Sequence, residues 1–233
     1  MKTAIIIAGA TRQTHLTYKY WDRLPQADFY YSTWNKYTWT YDHLELLDAA
    51  DNIKQLSEKV KFKTIFVSDY EKEFLAAGKN PFNRPFILLE KVYNSIKNQG
   101  YERVIYFRPD IKLFYLDNYN ADTDFNVNDK LTKVLGDYTP DAFWIPALRK
   151  MNDLFFVFSW KNFELFLNNR DFICARDIHD TLFEFFESWK IGVEPIETMR
   201  SVILRNNIDE SNVHLEHVKL QMLFLEIYNK YKT

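Results

Sequence analysis

Three short stretches combine charged and small residues in ways that suit phosphate or hydroxyl chemistry. The first is Ala8-Gly9-Ala10-Thr11-Arg12, directly after an apolar run. A glycine at that place lets the backbone approach a ligand closely. Thr11 and its neighbours offer hydroxyl and N–H donors, and Arg12 can grip a diphosphate through the fork of its guanidinium. The stretch matches neither the GxGxxG fingerprint nor the GxxxxGK[ST] loop. Its plain alternative is a tight turn between a strand and a helix.

The second stretch is Arg108-Pro109-Asp110. An Asp at the end of a buried strand can ligate a divalent cation that bridges a diphosphate, or hold a ribose hydroxyl. Pro109 removes one N–H and stiffens the turn. A charged pair at the mouth of an apolar strand is costly to desolvate unless it is paired or used, so the alternative is a local salt bridge. The third stretch is Asn152-Asp153, just before the apolar residues 154–158. Apolar neighbours favour the protonated form of a carboxylate, which suits a general base that takes a proton from a hydroxyl. A turn between two strands is the alternative.

Other candidates carry less. Asp122-Thr123-Asp124 is a literal Asp-x-Asp, but it falls in a polar stretch that gives no preorganised geometry. His214 and His217 share a helical face without a third ligand, and His179 stands next to Asp180. Cys174 has no basic neighbour beyond Arg176, which argues against a nucleophile.

Composition bounds these readings. The chain has 233 residues, with 30 Lys and Arg against 32 Asp and Glu, so neither sign favours non-specific binding to nucleic acid or an anionic membrane. A single cysteine rules out an internal disulfide framework and a multi-cysteine zinc cluster. Aromatics are the outlier, with 20 Phe, 15 Tyr and 6 Trp; core filling is the plain reading, and stacking on a sugar or a base is the other. No apolar stretch reaches the ~20 residues of a spanning helix, and the apolar run at residues 4–8 is too short for a signal peptide. The expectation is a cytoplasmic protein with no transmembrane segment, a peripheral membrane contact remaining open.

The elements that must position these residues follow from periodicity. Residues 3–8 are a continuous, β-branched apolar run, typical of a strand buried on both faces of a parallel sheet. Helix is predicted over 14–24, strand over 27–34, helix over 43–60, strand over 63–68, helix over 85–98 and strand over 103–107. Such alternation predicts an α/β fold with a doubly wound, right-handed, mostly parallel sheet. Ligands then bind at the carboxyl ends of the strands, here residues 9–12, 34–36, 68–70 and 108–110, which adds Asp69 to the candidates. Farther on, 116–139 reads as a polar loop, 141–146 and 154–158 as strands, and 160–168, 177–189, 195–206 and 213–230 as helices.

The succession of Ile5 to Arg12, Ala27-Asp28-Phe29-Tyr30-Tyr31-Ser32-Thr33-Trp34, Val104 to Ile111 and Met151-Asn152-Asp153 resembles GT-A-fold nucleotide-sugar glycosyltransferases. It is most similar to the small bacterial and large-virus enzymes grouped with WavE-like lipopolysaccharide synthesis proteins, in which Arg-x-Asp replaces Asp-x-Asp after the fourth strand. Residues 197–208 look like that family's late helix. The resemblance implies one GT-A-like domain over 1–233, with a central sheet, flanking helices and a helical C-terminal part. Residues 1–110 would bind the nucleotide sugar and 111–233 the acceptor. It implies transfer of a sugar from a UDP-, GDP- or dTDP-sugar to a hydroxyl of a glycan or glycolipid, in polysaccharide biosynthesis and without nucleic acid. Ala8, Gly9, Thr11, Arg12, Asp69, Arg108 and Asp110 would surround the donor. Asp110 would hold Mn2+ or Mg2+, and Asp153 would be the base of an inverting reaction. Arg108 at the first Asp position leaves metal-independence open, because a guanidinium can itself offset diphosphate charge. Two alternatives are a sugar-nucleotide nucleotidyltransferase, which residues 4–12 loosely suggest, and a non-catalytic glycan-binding protein.

Overall fold

The structure is a computed structural model that describes residues 1–12, 14–18, 21, 24, 27–37, 46–74, 83–115, 142–144, 155–175, 178–190, 193–195 and 199–203. The alternation expected of the first half is present. It runs β1 (Thr3–Ala8), α1 (Thr14–Thr17), β2 (Asp28–Trp34), β3 (Lys36–Tyr37), β4 (Leu47–Asp48), α2 (Ala50–Lys59), β5 (Thr64–Ser68), α3 (Asn83–Ile96) and β6 (Arg103–Phe107). The second half adds β7 (Ile111–Tyr115), β8 (Ala142–Trp144), β9 (Phe155–Ser159), α4 (Trp160–Asn168), α5 (Arg170–Ile173), α6 (Ile178–Ser188), β10 (Val193–Pro195) and β11 (Met199–Ile203).

Seven strands form one sheet in the order β10-β8-β9-β6-β1-β2-β5. Strand β9 runs antiparallel to both β6 and β8, and the remaining pairings are parallel. The fold is therefore α/β, with a mostly parallel central sheet and flanking helices. β1 and β6 lie at its centre, and every residue of β6 is buried. Continuous apolar strands fit there because both faces are covered.

Alternate side chains of each central strand enter two separate cores. Ala4, Ile6, Val104 and Tyr106 pack on one face against Phe86, Leu89 and Val92 of α3, Phe163 and Phe166 of α4, and Phe185 of α6. Ile5, Ile7, Ile105 and Phe107 pack on the other against Trp21, Leu24 and Leu56. Much of the aromatic content is core. Phe156 and Phe158 stack with ring centroids 5.2 Å apart, and Trp21 meets Phe107 edge-on at 5.9 Å. Each fully buried Phe contributes about 1.5–3 kcal/mol relative to exposure.

At the amino end of the strands a polar cluster ties β2 to the segment entering β6. The Tyr101 hydroxyl donates to Asp28 Oδ2 at 2.6 Å and shares a 2.6 Å bond with the Tyr30 hydroxyl, while Lys63 Nζ sits 2.7 Å from Asp28. Burial first, then the bond to Asp28, pushes the Tyr101 phenol well above its ordinary value.

Three expectations are corrected. Within the helix expected over 195–206, the described residues Met199–Ile203 are instead strand β11, paired antiparallel with β7 from Met199 opposite Tyr115 to Ile203 opposite Ile111. Val202 and Ile203 are β-branched, and a partner strand supplies their backbone bonds. The helix expected over 43–60 begins only at Ala50, because Leu47–Asp48 pairs with Lys36–Tyr37 and Asp48 Oδ1 accepts the Ala50 N–H at 2.7 Å. The helix expected from Thr14 is four residues long, and three-residue turns follow, with Trp21 N–H donating to Tyr18 O and Leu24 N–H to Trp21 O.

Candidate functional site

The path of the chain locates a switch point in the sheet. From β1 it steps to β2 and β5 on one side of the sheet, and it then returns to β6 on the other side of β1. The loops leaving β1 and β6 thus start side by side, at the same end of adjacent parallel strands. In open α/β sheets that reversal is where ligands bind.

Gly9 and Pro109 join the two loops. The Gly9 N–H donates to Ser32 O at 3.0 Å, which continues the β1–β2 ladder past the end of β1. Its φ is +152°, and a Cβ placed there would lie 2.7 Å from Pro109 Cδ. The glycine therefore makes room for the protein's own proline ring, where the sequence suggested room for a ligand. Two threonines of α1 complete the junction. Thr14 Oγ1 donates to Thr11 O at 2.9 Å, and Thr17 Oγ1 donates to Pro109 O at 2.6 Å. Sequence reasoning missed both; a Thr spacing of i, i+3 right after the glycine turn was the available signal.

Across this junction the charged residues converge. Arg108 Nε and Nη2 donate to Asp110 Oδ1 at 3.0 Å and Oδ2 at 2.7 Å, a bidentate pair within one turn. Arg12 Nη1 reaches Asp110 Oδ2 from the other loop at 3.7 Å. Exposure within the cluster is uneven. The Arg12 and Arg108 side chains keep 10% and 13% of their surface in water, against 3% for Asp110. The two arginine side chains thus hold most of the little contact with solvent that the cluster keeps. The charge of Asp110 also acts on buried Tyr31 of β2: burial above all pushes that phenol far above its ordinary value, the Thr33 hydroxyl opposes the rise and the Asp110 charge adds to it.

The other expected site residues are placed differently. Ala8 is fully buried in the core. Thr11 is fully buried, and its hydroxyl has no hydrogen-bond partner among the described residues. Asp69 follows β5, two strands from β1, and its Oδ1 accepts the N–H groups of Glu71 and Lys72 at 3.0 Å each. The Lys72 N–H above all, and then that of Glu71, hold its carboxyl below the usual range. Asp69 thus caps the π-helical turn Tyr70–Phe74. A groove of about 560 Å³ lies nearby, lined by Asn35, Lys36, Asp48, Ile53 and Val67 among others. Cys174 is buried. Asp153, Asp122, Asp124, His214 and His217 lie outside the described residues, and so does the side chain of His179. Among the described residues no three or more His, Cys, Asp or Glu side chains gather as a metal site would require, and no helix is long and apolar enough to cross a membrane.

No protein-family model matches the chain, and no curated protein is detectably similar in sequence. Some solved structures are detectably similar to it. One is assigned as a nucleotide-diphospho-sugar transferase, from Desulfovibrio desulfuricans G20, with 13% identity, a TM-score of 0.47, and coverage of 84% of this chain and 80% of that one. Another is the 4-diphosphocytidyl-2C-methyl-D-erythritol synthase of Anaerococcus prevotii DSM 20548, with 11% identity, a TM-score of 0.48, and coverage of 95% and 98%. At these values neither likeness bears on the chemistry of this chain.

Proposed function

We propose that this chain is a glycosyltransferase, which binds a nucleoside-diphosphate sugar at the rim of β1 and β6 and moves the sugar to a hydroxyl of a glycan or glycolipid. One observation carries the reading. At the point where the sheet order reverses, two arginines from adjacent loops converge on one aspartate, and the cations hold what exposure the cluster has. A diphosphate is the ligand that such a pair of forked donors matches best.

In the reaction the bond between the anomeric carbon and the phosphate oxygen breaks, and a bond to the acceptor oxygen forms. The leaving diphosphate gains negative charge, and Arg12 and Arg108 would stabilise it in place. The acceptor hydroxyl loses its proton to a base. Asp153 is proposed for that role in an inverting course, on the family resemblance. It stands two positions before Phe155, whose backbone pairs with Phe107 at the end of β6.

A thermal-shift panel of UDP-, GDP-, CMP- and dTDP-sugars tests the reading, since a ligand that binds only the native state raises Tm. A shift with one class of donor, together with slow donor hydrolysis, is the expected result. Release of pyrophosphate from a nucleoside triphosphate and a sugar phosphate would instead make the protein a nucleotidyltransferase. No shift at millimolar nucleotide would leave a glycan-binding role and remove the enzymatic one.

A further inference from the structure

Resemblance to Asp-x-Asp enzymes carries the expectation of Mn2+ or Mg2+ on Asp110, and the donor set of this chain does not fit it. A hard divalent cation is held by oxygens, commonly by one or two carboxylates with open lone pairs. Here one carboxylate is present where the motif has two, because Arg108 stands at the first position. Both of its oxygens are engaged: Oδ1 accepts Arg108 Nε, and Oδ2 faces Arg108 Nη2 at 2.7 Å and Arg12 Nη1 at 3.7 Å. A cation on either oxygen would sit beside a guanidinium, like charge against like charge. Asp69 does not supply a second carboxylate, because it caps its own turn after β5, three strands from β6. Among the described residues no three or more His, Cys, Asp or Glu side chains gather as a cation site would require.

We infer that Arg12 and Arg108 take over the task of the missing cation, so that nucleoside diphosphates bind this chain without a divalent metal and Asp110 acts by orienting the two guanidiniums. The inference rests on the donor-binding reading above. It turns the Arg-for-Asp exchange from a defect in a metal motif into a change of counter-charge. A guanidinium is planar, permanently charged and bidentate toward phosphate, which fits it for that exchange.

The test titrates UDP, GDP and dTDP into the full-length protein by calorimetry, once in excess EDTA and once in millimolar MnCl2, and titrates Mn2+ alone with electron paramagnetic resonance detection. The expected result is the same affinity within about twofold in both buffers, and no Mn2+ site below the millimolar range. Arg108→Gln should weaken nucleotide binding by about tenfold or more in both buffers, as loss of a charge-assisted bond requires. Asp110→Asn should weaken it by one factor in both and leave the affinity of the matching nucleoside, which lacks phosphates, unchanged. That split separates orientation of the arginines from general damage to the fold. A gain of about tenfold with Mn2+, removed by Asp110→Asn, would overturn the inference and leave donor binding standing. Absence of nucleotide binding in both buffers would bring down the donor reading itself. The comparison of buffers uses the wild-type protein, so it holds even where a variant fails to fold.

Discussion

Gly9→Ala is the sharpest probe of the junction between the two loops. The substitution meets two separate penalties. A side chain at φ +152° lies in a region that L residues avoid, at about 1–3 kcal/mol. The new methyl would also lie 2.7 Å from Pro109 Cδ, and relieving such an overlap in a packed site costs about 1–3 kcal/mol. Together they come to about 2–6 kcal/mol, or a fall in Tm of roughly 5–20 °C for a chain of this size. Gly100 provides the control. Its φ is +73°, and nothing lies within 4 Å of the position a methyl would take, so Gly100→Ala should cost only about 1–2 kcal/mol. Differential scanning calorimetry of the two variants separates strain from contact. Pro109→Ala in the Gly9→Ala background should recover about 1–3 kcal/mol, the share due to contact, as a coupling energy in a double-mutant cycle. If Gly9→Ala were no worse than Gly100→Ala, or if Pro109→Ala recovered nothing, the close approach of the two loops would be refuted.

Three further outcomes are expected. Thr17→Val keeps the shape but removes the donor to Pro109 O, and should lower stability in urea titrations by about 1–3 kcal/mol, because a buried carbonyl is left unsatisfied. Tyr31 and Tyr101 have phenols raised above 10.0 in the folded protein, so the native state holds their protons more tightly than the unfolded chain. Their contribution is complete below pH 10 and is lost as the pH rises beyond it; stability should fall from about pH 10 upward, and less steeply in Tyr31→Phe, as urea midpoints across pH 8–12 would show. Ser159 caps α4 by accepting the Asn162 N–H at 3.3 Å, so Ser159→Ala should cost about 1 kcal/mol by thermal melting and leave nucleotide binding untouched.

What the sequence disclosed follows from how local each decision is. β1 and β6 were legible because burial on both faces demands an unbroken apolar run, and α4 because its cap and its buried Phe163, Phe166 and Leu167 lie within nine residues. The bidentate pair of Arg108 and Asp110 was legible for the same reason, since its partners are two residues apart. The approach of Arg12 was an inference from strand ends, and it depended on β6 lying beside β1, which no periodicity reports. Residues 199–203 misled because their state is set by a partner strand some 90 positions earlier, whose pull outweighs local helical spacing. At Gly9 the need for a missing side chain was readable, but the neighbour that requires it, a proline a hundred residues away, was not. At Asp69 the strand-end position was legible, but its use as a turn cap was not, because a carboxylate there suits a cap and a ligand equally well.

The place of β9 has a consequence for synthesis of the protein. It supplies the whole hydrogen-bonding edge of β6 on the side away from β1, from Phe107 opposite Phe155 to Arg103 opposite Ser159. When β6 has left the ribosome, that strand must wait for Phe155 and the residues after it to be translated, which takes several seconds at ~5–20 residues per second. Throughout the delay a bare apolar edge is on offer to any other nascent chain. The newborn polypeptide is thus a natural client for a holding chaperone, and a truncated piece ending near residue 110 is a poor choice for recombinant expression.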